Sequence, residues 1–261
     1  MTQVETQNKK KKATTETIGI VTKVTKETSD THTLRISMPN LKDEEKPFTF
    51  KPGQFVMVRP VINGKTIPRA YSVSSSPTRS ESENYYDLTV RQTQTPTVSK
   101  WLNDRKVNDE ILFRGPYGQF FWEENHPESS ELLLLGGGSG VTPLKSMMEY
   151  IADKKLGNKA KLLYSSKTFQ DIILKEPLEQ LAKDNDNIEV EFSLTREPTD
   201  SSWIGRRGRI DENYIKETLK EFDIPKTGCY LCGTPAFVEN MSSLLQGAGI
   251  SEEKIWHERW E

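Results

Sequence analysis

Apolar and polar residues alternate along the first half of the chain. "TIGIVTKVTKET" (17–28) and "THTLRISM" (31–38) both follow the period of a strand with one buried face, joined by a short polar link at Ser29 and Asp30. "GQFVMVRP" (53–60), "RAYSVSS" (69–75) and "YYDLTVRQT" (85–93) read as further short strands separated by Pro, Gly and Asn. That spacing predicts a small antiparallel β-barrel, with one short helix at Val98 to Asn103. The rhythm then changes. "ELLLLGG" (131–137) is a continuous apolar run, as in a strand covered on both faces. From there strands and helices alternate. Strands are expected at "AKLLYSS", "IEVEFSLT" and "GCYLCG". Helices are expected at "TPLKSMMEYIADKKLG", "LEQLAKD", "DENYIKETLKEF" and "PAFVENMSSLLQG". Such alternation implies a parallel sheet with helices on both faces. The polar stretch "EENHPESS" (123–130) separates the halves. The expected organisation is a polar tail (1–16), a β-barrel domain (17–124) and an α/β domain (125–261).

The tail, "MTQVETQNKKKKATTET", is too poor in apolar residues to fold alone. Its Lys9 to Lys12 run reads as a solvated charge cluster. Net charge is −2 over 261 residues, which gives no electrostatic case for binding nucleic acid. No apolar run is long enough to span a bilayer, so no membrane insertion is expected. Only two cysteines occur, which suggests a reducing, cytoplasmic setting.

Those cysteines form Cys229-x-x-Cys232, the spacing of half a zinc site or of a redox dithiol. On a strand, residues three apart point to opposite faces. No second Cys or His pair completes a metal site, so no metal is expected. Cys229 reads as core. Cys232 ends its strand beside a helix N-terminus, where open α/β sheets bind ligands, and is a candidate active-site group.

Glycine turns follow two of the strands. In "LLLLGGGSGVTP", Gly138, Gly140 and Pro143 form Gly-x-Gly-x-x-Pro ahead of a helix, with Thr142 as candidate N-cap and Gly157 as the stop. Glycines let backbone N–H groups approach a pyrophosphate, and the helix end supplies partial positive charge. "YLCGTP" repeats the plan with Gly233, Thr234 as N-cap and Pro235. In "PRAYSV", Arg69 offers a fork for phosphate, Tyr71 a stacking face and Ser72 a hydroxyl for a ring nitrogen.

These segments, with "FKPGQFVMV", "RGPYGQF" and the C-terminal "HERW", occur in an order that resembles the ferredoxin–NADP reductase superfamily over residues 17–261. The resemblance implies a flavin-binding barrel, a nicotinamide-dinucleotide domain and chemistry in the cleft between them. It implies that Arg69 binds flavin phosphate, Tyr71 stacks on the isoalloxazine and Ser72 bonds near its reactive nitrogen. Ala70, Val90 and Arg91 join the cofactor contacts. Thr97, Val98 and Ser99 cradle the pyrophosphate, although "QTQTPTVS" lacks the glycine many relatives carry there. Gly137, Gly138, Gly140, Thr142 and Pro143 hold the nicotinamide nucleotide, with Cys232, Gly233, Thr234 and Pro235 beside the nicotinamide. Trp260 corresponds to an aromatic that covers the flavin, and Glu258 joins a network with Ser72 and Cys232. Thr195 and Arg196, with Lys167 and Arg207, contact an adenosine phosphate if the donor is NADPH; NADH remains the alternative. FAD is the expected flavin, with FMN the alternative.

The activity so implied takes hydride from NAD(P)H and passes electrons to a separate acceptor such as ferredoxin, flavodoxin or an oxygenase component. Two cysteines on one strand do not suffice for a four-cysteine iron–sulfur cluster. The competing readings are a reductase of a quinone, free flavin or ferric chelate, and an electron-transfer subunit without turnover of its own.

Overall fold

The computed structural model describes residues 16–38, 48–93, 95, 97–126 and 129–260. The Lys9 to Lys12 cluster lies outside the described residues, as does part of 123–130.

The first half is a six-stranded antiparallel sheet of β1 (Glu16–Lys26), β2 (Thr31–Ser37), β3 (Phe55–Val58), β6 (Arg69–Ser72), β7 (Tyr85–Arg91) and β8 (Glu110–Tyr117). Its order is β6-β3-β8-β1-β2-β7, and a bridge between Val73 and Leu88 joins the two edges into a barrel. β4 (Val61–Ile62) and β5 (Lys65–Thr66) form a separate hairpin. Inward residues such as Val21, Leu34, Ile36, Val56, Leu88 and Phe113 fill the barrel, which is why the sequence alternates. β1 starts at Glu16, one residue inside the expected tail, because Glu16 pairs with Arg114 across the ladder. The short helix α2 (Val98–Asn103) has the expected bounds. A second helix, α1 (Pro77–Glu83), was not expected, since "PTRSESE" has no apolar stripe; Ser76 caps it and Pro77 opens it.

The second half is a parallel sheet ordered β12-β11-β10-β9-β13-β14, comprising β9 (Glu131–Gly137), β10 (Ala160–Ser166), β11 (Ile188–Leu194), β12 (Arg206–Arg207), β13 (Thr227–Gly233) and β14 (Ile255–Arg259). α3 (Val141–Asp153) and α4 (Lys175–Asp184) cover one face; α5 (Glu212–Leu219) and α6 (Pro235–Gly247) cover the other. The chain runs outward from β9 to β12 and returns to β13 on the other side of β9. That reversal makes a crevice at the carboxyl ends of β9 and β13, the customary ligand position in open α/β sheets. Cys232 packs into one face and Cys229 into the other, so the two thiols are separated by the sheet.

Two cap expectations are corrected. Gly140 precedes α3, and Thr142 lies within its first turn with its hydroxyl donated to Ser139 O at 3.0 Å. α3 ends at Asp153 with a left-handed Lys155 soon after, before Gly157 is reached. Thr234 does cap α6, accepting from Phe237 N. Among the described residues no helix is long and apolar enough to cross a membrane.

The turn after β9 sits hard against β13. A Cβ on Gly140 would lie 2.1 Å from the carbonyl oxygen of Cys232, a backbone atom with no room to retreat. Gly140→Ala should therefore lower unfolding free energy by about 1–3 kcal/mol, the usual scale of overpacking. Chemical denaturation measures it, and an unchanged midpoint would show that the turn and β13 can separate freely.

Candidate functional site between the two domains

A cavity of about 350 Å³ opens between the barrel and the α/β domain, within the ~300–1,000 Å³ range of ligand pockets. β6 contributes Arg69, Ala70, Tyr71 and Ser72, all on one four-residue strand. β7 contributes Thr89 and Arg91, and the start of α2 contributes Thr97, Val98 and Ser99. The α/β domain supplies Ser139, from the glycine turn, and Trp260, just past β14. Thr89, Thr93, Thr95 and Ser139 were not anticipated; a lone Thr or Ser on a strand or turn carries no pattern to mark it.

The barrel side is built for a flat, anionic ligand. Arg69 is exposed and donates to a neighbouring carbonyl, Pro68 O, at 2.8 Å. Burial pushes the Tyr71 phenol up to about 12, so it presents a neutral ring. Arg91 reaches across the cleft, bonding Asp30 at 2.9 Å and approaching Asp171 of the other domain at 3.8 Å. Ser99 Oγ accepts from Thr93 N at 3.2 Å, tying down the segment ahead of α2. Val90 is the exception among the predicted barrel residues. Its side chain is in the barrel core and its carbonyl accepts from Asn103, so it adds no side chain to the cavity.

Across the cavity, β14 lies parallel to β13 with Glu258 opposite Cys232. Trp260 is held at both ends: its backbone N–H donates to Gly233 O at 3.0 Å and its indole Nε1 to Cys232 Sγ at 2.9 Å. Its ring meets Phe55 of the barrel edge-on. The Cys232 thiol is fully buried and next to Glu258, and both facts raise its pKa. It is therefore a neutral thiol and not a thiolate nucleophile. Burial also pushes the Glu258 carboxyl up to about 7, partly offset by the nearby Ser72 hydroxyl. No hydrogen bond of ordinary geometry joins the two. Ser72 Oγ and Glu258 Oε2 are both buried without a partner. Unpartnered buried polar atoms are uncommon, and Ser72, which carries one, also lines the cavity.

The glycine turns meet beside this point. Gly137 and Gly233 face each other beneath the Phe237 ring, and Gly138 takes a left-handed φ of 55° next to the Arg91 guanidinium. Pro235 opens α6, whereas Pro143 is the third residue of α3, which the glycine turn starts already at Val141.

The remaining predicted residues lie apart, beyond the ends of β10 and β11. Lys167 and Arg196 are exposed, and among the described residues neither side chain has a carboxylate partner. Arg207 is held by Ser201, and Arg206 by Asp211 and the face of Tyr214. The Thr195 hydroxyl donates to Ser166 O at 3.1 Å, so its one proton is already committed.

Glu258 gives the site a pH signature. In the unfolded chain the carboxyl ionises near 4.5, while in the folded protein it holds its proton to about 7. Between those values the folded state binds more protons, so stability falls as pH rises, by at most about 1.4 kcal/mol per pH unit. Glu258→Gln should remove this contribution. Denaturant titrations of both proteins, without added ligand, between pH 4.5 and 7 test it; parallel slopes would mean that the carboxyl is ionised throughout.

Comparison with known proteins agrees with this architecture. Residues 19–122 match the Oxidoreductase FAD-binding domain family, and residues 134–243 match the Oxidoreductase NAD-binding domain family. Ferredoxin–NADP reductase B of Sorangium cellulosum is 30% identical over 223 residues, covering 83% of this chain and 87% of that protein. The glycine betaine monooxygenase reductase subunit of Pseudomonas aeruginosa is 30% identical over 237 residues, covering 90% of this chain. The present chain spans 62% of that subunit's length. Among solved structures, the ferredoxin reductase in carbazole 1,9a-dioxygenase superposes with a TM-score of 0.77 at 25% identity, covering 95% of this chain and 70% of that one. With both domain families matched in order, and a barrel and parallel sheet meeting at one cavity, the chain belongs to the ferredoxin–NADP reductase superfamily of FAD- and NAD(P)-binding oxidoreductases.

Proposed function

We propose that this protein takes hydride from NADPH onto FAD and passes the electrons to a separate acceptor protein. The observation that carries this reading is the shared cavity, where the β6 strand Arg69–Ser72 faces Ser139 and Trp260 of the other domain, with Trp260 bonded to Cys232 behind it. In this reading the two domains divide after residue 124.

The unpartnered Ser72 hydroxyl and the stacking face of Tyr71 fit a flavin ring, and exposed Arg69 with the α2 N-terminus fits its phosphates. When bound, the flavin accepts a hydride and releases electrons one or two at a time; the protein supplies orientation and exclusion of water. Ser72 orients the ring's polar edge. Tyr71 and Trp260 shield opposite sides of the cavity. Cys232, neutral and buried, offers a close-packed surface at the nicotinamide position. Glu258 holds a proton at its carboxyl near neutral pH and can donate a hydrogen bond there. The Gly138–Gly140 turn presents backbone N–H groups to the dinucleotide phosphates.

A protein acceptor is preferred over a small one because both relatives above are named for such chemistry: one for ferredoxin, the other as a monooxygenase reductase subunit. NADPH is preferred because Lys167 and Arg196, at the edge where an adenosine phosphate is expected, have no carboxylate partner among the described residues, whereas Arg206 and Arg207 are already engaged. Thr195 contributes little to that phosphate, since its proton goes to Ser166 O.

The purified protein should be yellow and release one FAD per chain on denaturation. A colourless protein that cannot be reconstituted with FAD or FMN would end this reading, and FMN alone would change only the flavin. Arg196→Ala should weaken NADPH binding about 10- to 150-fold, the worth of one charge-assisted hydrogen bond, and leave NADH nearly untouched. The ratio of the two kcat/KM values reports it; an unmoved ratio assigns the phosphate elsewhere. Removing Trp260 and Glu261 should give tighter but less discriminating nucleotide binding, because the indole stands over the cavity and must yield to a nicotinamide. Equilibrium titration with NADP+ and NAD+ reads both effects, and unchanged affinities would mean that Trp260 does not compete.

A further inference from the structure

α3 begins at the glycine turn and runs between the domains. One face of it is polar and buried, against the expectation for a helix that covers a sheet. Lys145 is nearly enclosed; its Nζ donates to Ser74 O at 3.1 Å and pairs with Glu149 at 3.1 Å. Ser146 Oγ donates to Ser75 O at 2.7 Å. Glu149 in turn accepts from Ser76 N at 2.7 Å, and Asp153 accepts from Thr78 and the Arg79 fork. Four side chains of one helix thus match, in order, the continuous segment 74–79 of the barrel domain.

That segment continues the strand carrying Arg69–Ser72. Ser74 is itself anchored, its N–H to Asp87 O at 2.9 Å and its hydroxyl to that of Thr89, a residue that lines the cavity. On the opposite side of the cleft Arg91 approaches Asp171 at 3.8 Å and Leu174 N donates to Glu27 at 3.2 Å. Among the described residues, the polar bonds between the domains are concentrated along α3.

We propose that Lys145, Ser146 and Glu149 are positioning residues that set the spacing between the nicotinamide half and the flavin half of the site. The inference rests on the proposed function. A buried charge pair is a weak source of net stability, since well-packed apolar residues of similar size often do as well. The pair's hydrogen bonds to Ser74 O and Ser76 N, with that of Ser146 to Ser75 O between them, are directional, and so fix the sliding of α3 along the strand end. Small errors of alignment between reacting groups are costly, up to about a hundredfold for 1 Å.

The test is the double variant Lys145→Met/Glu149→Leu, which keeps apolar volume and removes the pair's bonds, together with the milder Ser146→Ala. Each is purified with FAD. Expected is native flavin content, a KM for NADPH close to native, and a kcat lower by on the order of 10- to 100-fold in the double variant. A readout independent of turnover is the long-wavelength absorption that marks a nicotinamide lying against a flavin; it should weaken in NADP+ titrations of the reduced protein. Ser146→Ala should move both readouts the same way by less, and it decides alone if the double variant does not fold. Variants that keep FAD and match the native band and kcat would overturn the assignment while the native enzyme still turns over. A native protein that takes up no flavin would remove this inference together with the function beneath it.

Discussion

The contact on which the site depends is the approach of the Gly138–Gly140 turn to the end of β13. At Gly140 the two backbones are so close that no side chain fits between them. This closeness follows from strand order. β13 returns to lie beside β9, so the turns ending the two strands must share one crevice. Glycine on both strands lets Phe237 cover Gly137 and Gly233 together. With the end of β13 fixed, the Cys232 side chain has only the barrel-facing side of the sheet available, and β14 pairs alongside in a register that puts Glu258 opposite it. Trp260 follows because its backbone is tied to Gly233.

The barrel contributes what the α/β domain cannot. Ser72, on the barrel, and Glu258, on the α/β domain, each bury a polar atom without a partner. Desolvation of a polar group is unfavourable unless a hydrogen bond replaces the lost water. Here the cost falls on one residue from each domain, Ser72 in the cavity wall and Glu258 beside Cys232. The elevated Glu258 pKa has the same origin, since the carboxyl loses water and gains no cation. The bonds along α3 hold these two halves face to face.

The sequence conveyed most of the scaffold. Alternation marked β1, β2, β3, β6 and β7 because the barrel has one filled face, and the unbroken run in "ELLLLGG" marked β9 because helices cover both faces of its sheet. The opposite pointing of Cys229 and Cys232 was legible from strand period alone. Local pattern failed where partners are distant in sequence. α1 is held by its Ser76 cap and by Asp153 and has no apolar stripe. Thr142 fits every local rule for an N-cap, yet the tight glycine turn starts the helix earlier and draws its hydroxyl back to Ser139. The match of α3 to residues 74–79 joins positions some seventy residues apart and has no signature at either end.

Arginine shows most clearly what a sequence withholds. "TREPTDSSWIGRRGR" offers four arginines near the end of β11, alike in type and all plausible for a phosphate. Folding distinguishes them by prior commitment. Arg206 is spent on Asp211 and the Tyr214 ring, and Arg207 on the loop at Ser201. A guanidinium so held must break those bonds to reach a ligand, which subtracts from whatever the new contact adds. Among the described residues Arg196, Arg209 and Lys167 are exposed and have no carboxylate partner, and the Arg196 N to Lys167 O bond keeps Arg196 and Lys167 adjacent. In the proposed reading, preference for a dianion at this edge depends less on how many cations the loop contains than on which of them the fold leaves without a partner.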